Sequence, residues 1–260
     1  MLIELLNIFL LGILLTGDVS DSSGNQFVNQ QQRQFYLQKL YQFRRENEDI
    51  APGGVVFIGN SIVEAFDLEQ YFPGVYAINR GITGDRIGLG TDGGILKRMN
   101  ESCYALKPSK VFIMVGINDL GDRRRPVEEL GDGYGKIIKC ILDSFPDIEI
   151  FVHSILPTGG VYARLNPAID SLNMILQNLC DSLYLHHYQI KYIDLHHQFS
   201  DERGQIKPEL TIEGLHLKNI AYQLWADYIF HYVYSGQCYQ IPINFNDSTD
   251  NQGEDQKQDN

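Results

Sequence analysis

Four short blocks in this 260-residue chain hold side chains suited to acyl transfer. That chemistry needs an activated nucleophile, an oriented base and donors for the oxyanion. Ser61, in Gly59-Asn60-Ser61-Ile62, offers a hydroxyl nucleophile. His216, in Glu213-Gly214-Leu215-His216, offers an imidazole to take its proton. Glu213 could hold the imidazole tautomer through the other ring nitrogen. It could equally be a first-turn acid favoured by a helix dipole. Asn79-Arg80-Gly81-Ile82 and Gly116-Ile117-Asn118-Asp119 supply further donors. The expected oxyanion hole is the Ser61 N–H, the Gly81 N–H and the Asn118 side chain, each worth on the order of 10²–10³ in rate. Taken singly, each block has a plainer reading. Asn60 and Ser61 are common helix caps, Gly-Ile-Asn-Asp is a common turn, and His216 could sit on the surface.

These side chains converge only if particular elements carry them. Val55–Ile58, Val75–Ile78, Val111–Val115, Ile148–His153 and Tyr192–Leu195 read as short, apolar, β-branched strands. Between them, 26–48, 62–71, 86–99, 127–145, 166–185 and 217–234 carry helical periodicity. Strands that alternate with helices and are buried on both faces predict a parallel sheet with helices on either side. The expected fold is a three-layer α/β/α sandwich with a five-stranded parallel, flavodoxin-like sheet. Three of the four blocks then follow a strand and the fourth precedes the last helix, so all share one rim.

In order and placement the blocks resemble the SGNH hydrolases, also called the GDSL esterase/lipase family. The likeness is to the bacterial branch similar to platelet-activating-factor acetylhydrolase subunits, and it runs from about Val55 to Ile229. The resemblance implies Ser61 as nucleophile, His216 as base, Gly81 and Asn118 as oxyanion donors, and no cofactor or metal. Two positions depart from the family pattern. Asn60 stands where an aspartate is usual, and Glu213 where the triad acid is usually aspartate. The activity implied is hydrolysis of a small ester, such as an acetylated sugar or lipid. The short loops between blocks leave little chain for a lid and favour short acyl groups. A thioesterase would use the same machinery, and a non-catalytic binding module could occupy the same fold.

Composition narrows the alternatives. The net charge of −12 repels phosphate backbones and argues against nucleic acid as a partner. The four cysteines are widely spaced, the nearest two 37 positions apart, which fits neither a zinc site nor a disulfide scaffold. The His186-His187 and His196-His197 pairs lack metal-ligand spacing. Gly88-Leu89-Gly90-Thr91-Asp92-Gly93 matches a dinucleotide fingerprint in letters but does not directly follow a strand. Residues 1–25 form an apolar segment and linker. Leu5–Leu15 has the length of a signal core but has Glu4 before it and no small-residue cleavage site, so a signal, an anchor and an extra helix remain open, as does the compartment. Residues 26–243 are expected to be the catalytic domain. Residues 244–260, with five acids and one lysine among polar residues, read as a disordered tail.

Overall fold

Strands β1 (Val55–Gly59) and β3 (Lys110–Met114) are buried along their whole length, as central strands covered on both faces must be. They belong to a computed structural model that describes residues 22–90, 93–122 and 125–235. With β2 (Ala77–Gly81), β4 (Glu149–His153) and β5 (Ile190–Ile193) they form one sheet in the order β2-β1-β3-β4-β5. All four pairings are parallel. This is the expected α/β sandwich in its flavodoxin-like order.

Alternation along the strands divides the core in two. Val56, Ile58, Val111, Ile113, Ile150 and Val152 face one side. There they pack on helices α6 (Val127–Ser144) and α7 (Asn166–Leu185) through Tyr134, Ile137, Ile169 and Leu172. Val55, Phe57, Phe112, Met114 and Phe151 face the other side, against Trp225 and Ile229 of α9 (Asn219–Tyr234). Phe57, Phe112 and Phe151 are register partners, and their rings stack in a ladder with centroids 4.6 Å apart at both steps. Each such ring contributes roughly 1.5–3 kcal/mol by burial alone. Lys110 is buried because its ammonium caps α9, donating to the carbonyls of Tyr232 at 2.7 Å and Ser235 at 2.5 Å.

Helix α1 (Ser22–Asp49) packs on α4 (Met99–Ser102). Phe43 is buried beneath the Arg80 guanidinium, 4.4 Å from its ring. Three expectations are corrected. The stretch 62–71 is not one helix. It divides into α2 (Ser61–Glu64) and α3 (Leu68–Tyr71), because Phe66 turns into the core and Asp67 caps a new start. The described part of the stretch 86–99, which leaves out 91 and 92, is loop with a 3₁₀ turn at Ile95–Lys97, because Gly88, Gly93 and Gly94 take left-handed backbone that no α-helix holds. Leu195 does not end β5 but opens a short helix, α8 (Leu195–Phe199), capped by Asp194.

Among the described residues no helix is long and apolar enough to cross a membrane. The apolar run Leu5–Leu15, the acidic tail and Cys238 lie outside the described residues. Cys103, Cys140 and Cys180 are free thiols.

Candidate active site

The register sets the site's floor. Gly59 is level with Gly81 on one side and Met114 on the other, so the segments after β1, β2 and β3 leave the sheet at one height. Asn60 caps α2, its side-chain oxygen accepting the Ile62 N–H at 3.0 Å. That cap starts the helix at Ser61, whose own N–H meets no acceptor among the described residues.

His216 comes from the segment before α9. Thr211 fixes this segment: its hydroxyl donates to the His216 carbonyl at 2.8 Å and accepts the Gly214 N–H at 2.9 Å. The His216 Nε2 lies 3.3 Å from Ser61 Oγ. Its Nδ1 is hydrogen-bonded to Glu213 Oε1. The Glu213 carboxylate also accepts the His216 backbone N–H, at 3.3 Å to each oxygen. An Nδ1–H donated to the carboxylate leaves Nε2 as the acceptor facing the serine. Burial alone would raise the Glu213 carboxyl, but its hydrogen bond to His216 and the imidazole's charge outweigh that and hold it below the ordinary glutamate value. Ser61, His216 and Glu213 therefore form one continuous chain of contacts.

The donors are distributed differently from the sequence expectation. The Gly81 N–H is already donated to the Asn79 side chain at 2.8 Å. Gly81 is glycine for another reason: a Cβ there would lie 2.2 Å from the Glu64 nitrogen, inside the helix that carries Ser61. Asn79 completes that packing by donating to the carbonyls of Val63 at 2.7 Å and Phe66 at 2.9 Å. Assigning Gly81 to the oxyanion hole is therefore corrected.

Accounting for the backbone donors points three residues further on. Among the described residues, every N–H from Gly81 to Ile87 finds an acceptor except that of Gly84. Ile82 donates to Gly59 O, Thr83 to Glu64 Oε2, Asp85 to Ile82 O, Arg86 to Asp85 Oδ1 and Ile87 to Asp119 Oδ2. Gly84, at φ +79°, is the third residue of the Ile82–Asp85 turn, where a type II turn demands positive φ. The amide of Asn118, on helix α5 (Ile117–Asp122), donates one hydrogen to the Asp85 carbonyl at 2.8 Å, which ties this turn to Asn118 and leaves its second hydrogen without an acceptor among the described residues. Beneath the turn, Arg98 is fully buried. It grips the Asp85 carboxylate through Nε at 2.7 Å and Nη2 at 2.6 Å, and reaches the Gly59 carbonyl at 3.2 Å. The sequence signal for Gly84 was the turn string Ile-Thr-Gly-Asp itself.

A cleft lies beside the site. Asn60 and Ile62, which flank Ser61, Ile117 before Asn118 and Leu215 before His216 line it with Ile155 and Leu156.

A family model described as GDSL-like lipase/acylhydrolase matches residues 57–224, a span that takes in Ser61, Asn118, Glu213 and His216. The chain belongs to that family. It is an SGNH-type ester hydrolase, and the match leaves α1 outside. Among solved structures, this GDSL-like acylhydrolase is similar to a protein from Streptococcus pneumonia solved as a candidate platelet activating factor. The two share 29% identity at a TM-score of 0.74, over 83% of this chain and 100% of the other. It shares its fold with a candidate acylhydrolase from Bacteroides fragilis, at 21% identity and TM-score 0.61, over 73% of this chain and 92% of the other. It also shares its fold with an acetylxylan esterase from Geobacillus stearothermophilus, at 16% identity and TM-score 0.55, over 71% and 95%. No curated protein matches the chain.

Proposed function

We propose that this acylhydrolase cleaves short-chain acyl esters through a covalent acyl-enzyme on Ser61. The observation that carries the reading is the unbroken chain Ser61–His216–Glu213. His216 Nε2 takes the Oγ proton as Oγ attacks the ester carbonyl. The oxyanion accepts the N–H groups of Ser61 and Gly84 and the second Asn118 amide hydrogen. Collapse expels the alcohol, which takes the proton back from His216. Water, deprotonated by His216, then attacks the acyl-serine, and collapse releases the acid as His216 returns the proton to Ser61 Oγ. Glu213 holds the tautomer and offsets the charge of the imidazolium.

The short loops between the blocks leave little chain for a lid, which supports a small acyl group such as acetyl. The acetylxylan esterase of the same fold makes an acetylated sugar a reasonable substrate class.

The test is a p-nitrophenyl ester series with Ser61→Ala as control. Acetate should be hydrolysed faster than butyrate, and butyrate faster than octanoate. Ser61→Ala should lose at least about 10³-fold in kcat, since removing a serine nucleophile leaves only binding and the oxyanion hole. Equal rates for Ser61→Ala and the native chain would sink the nucleophile assignment. A rate that rises with chain length would sink the acetyl preference.

A further inference from the structure

Helix α1 lies outside the span matched by the family, yet it reaches the oxyanion turn through two side chains. Lys39 Nζ sits 3.0 Å from Glu64 Oε1. The other Glu64 oxygen accepts the Thr83 N–H at 2.6 Å, a short charge-assisted bond. Glu64 is three residues beyond Ser61 on α2, and Thr83 directly precedes Gly84. One carboxylate therefore links α1, the nucleophile helix and the turn. The Lys39 and Glu64 side chains are only 19% and 21% exposed, so water competes weakly for the contact. Further contacts keep α1 in place. Glu46 pairs with Arg80, Arg44 with Glu101, and the Tyr36 hydroxyl accepts the Gly94 N–H at 3.1 Å.

Type I and type II turns differ by a flip of the central peptide. Here that peptide joins Thr83 to Gly84, and it carries the N–H that meets no acceptor among the described residues. A flip would replace that donor with the Thr83 carbonyl. The peptide before it is pinned by Glu64, the one after it by the Ile82 carbonyl, and the Asp85 carbonyl by Asn118.

We infer that Glu64 is a positioning residue for the oxyanion hole, and that α1 holds Glu64 in register through Lys39. The inference rests on the proposed role of the Gly84 N–H in the hydrolysis at Ser61. A donor aimed at charge that exists only in the transition state affects kcat rather than KM.

The experiment measures kcat and KM on p-nitrophenyl acetate for Glu64→Ala, Glu64→Gln and Lys39→Met in the full chain, with thermal melts alongside. Glu64→Ala should lose about 10–100-fold in kcat with KM within about two-fold, as a displaced oxyanion donor does. Glu64→Gln keeps an oxygen for the Thr83 N–H and should recover to within about five-fold of the native kcat. Lys39→Met should fall between the two. A native kcat in folded Glu64→Ala overturns the inference. So does a loss confined to KM, or a Gln variant as impaired as the Ala variant. Should Glu64→Ala fail to fold, a native kcat in folded Lys39→Met overturns the role of α1, and a Glu64→Gln variant impaired like Ser61→Ala overturns that of Glu64. Failure of the underlying reading looks different: Ser61→Ala would then match the native rate.

Discussion

Glu213 carries one methylene more than the aspartate usual at its place, and the extra reach is used. Its carboxylate takes both the ring Nδ1–H and the backbone N–H of His216, closing a small loop on itself. Glu213→Gln keeps the length but presents an amide that can force the wrong tautomer, so kcat should fall by up to about 10⁴, the cost seen when a triad acid becomes its amide. Glu213→Asp keeps the charge but falls short within a segment fixed by Thr211, and its kcat should lie between the two. Steady-state kinetics on p-nitrophenyl acetate give the order, and a Gln variant as fast as the native chain would remove Glu213 from the triad. At this scale the sequence points most directly to side chains suited to chemistry. Ser61, His216 and Glu213 could be proposed for that reason, and the structure brings these three into contact. Backbone donors carry no such mark. Gly81 looked like a donor because glycine permits close approach, but the approach is by helix α2. Finding Gly84 required knowing where the neighbouring N–H groups go.

Elements that bring the blocks together rest on one buried ion pair. Arg98 and Asp85 join the end of β1 to the turn after β2. Burial pushes the Asp85 carboxyl up, against the pull of the Arg98 charge. Arg98→Met should therefore destabilise the fold by about 3–5 kcal/mol, because it strands a buried carboxylate. Adding Asp85→Asn should return part of that loss by removing the stranded charge. Urea unfolding measures both, and a single variant as stable as the native chain would mean that the pair contributes little. Strands β1, β3 and β4 and the helices α6 and α7 were plain from periodicity, since burial on two faces or one stripe marks a sequence strongly. The edge strands β2 and β5, by contrast, lie at Ala77–Gly81 and Ile190–Ile193 rather than at Val75–Ile78 and Tyr192–Leu195. The 86–99 stretch misled because its apolar residues keep helical spacing while its glycines take up a loop. Arg98 itself gave no sequence signal, because a lone arginine is usually solvated.

For the molecule as a whole, the second core face holds a buried histidine. His153 is 1% exposed between Phe112 and Trp225, its Nε2 has no partner among the described residues, and burial pushes its pKa down to about 3. The unfolded chain protonates this ring near 6.5, so between about pH 6.5 and 3 it binds a proton that the folded state refuses. Stability from this residue is complete above pH 6.5 and is lost as pH falls through that window. Asp119 acts in the opposite sense, since burial raises its carboxyl to about 6 and the folded state keeps the proton longer. His153→Phe should isolate the histidine's share: the drop in Tm from pH 7 to pH 5 should be smaller in the variant, and an equal drop would contradict the assignment.

The contact between Ser61 and His216 spans 155 positions of chain. Closing so long a loop carries an entropic cost that local helices and turns do not. Hydrolysis should therefore return during refolding later than helical circular dichroism, and activity that returns with the first helical signal would contradict this.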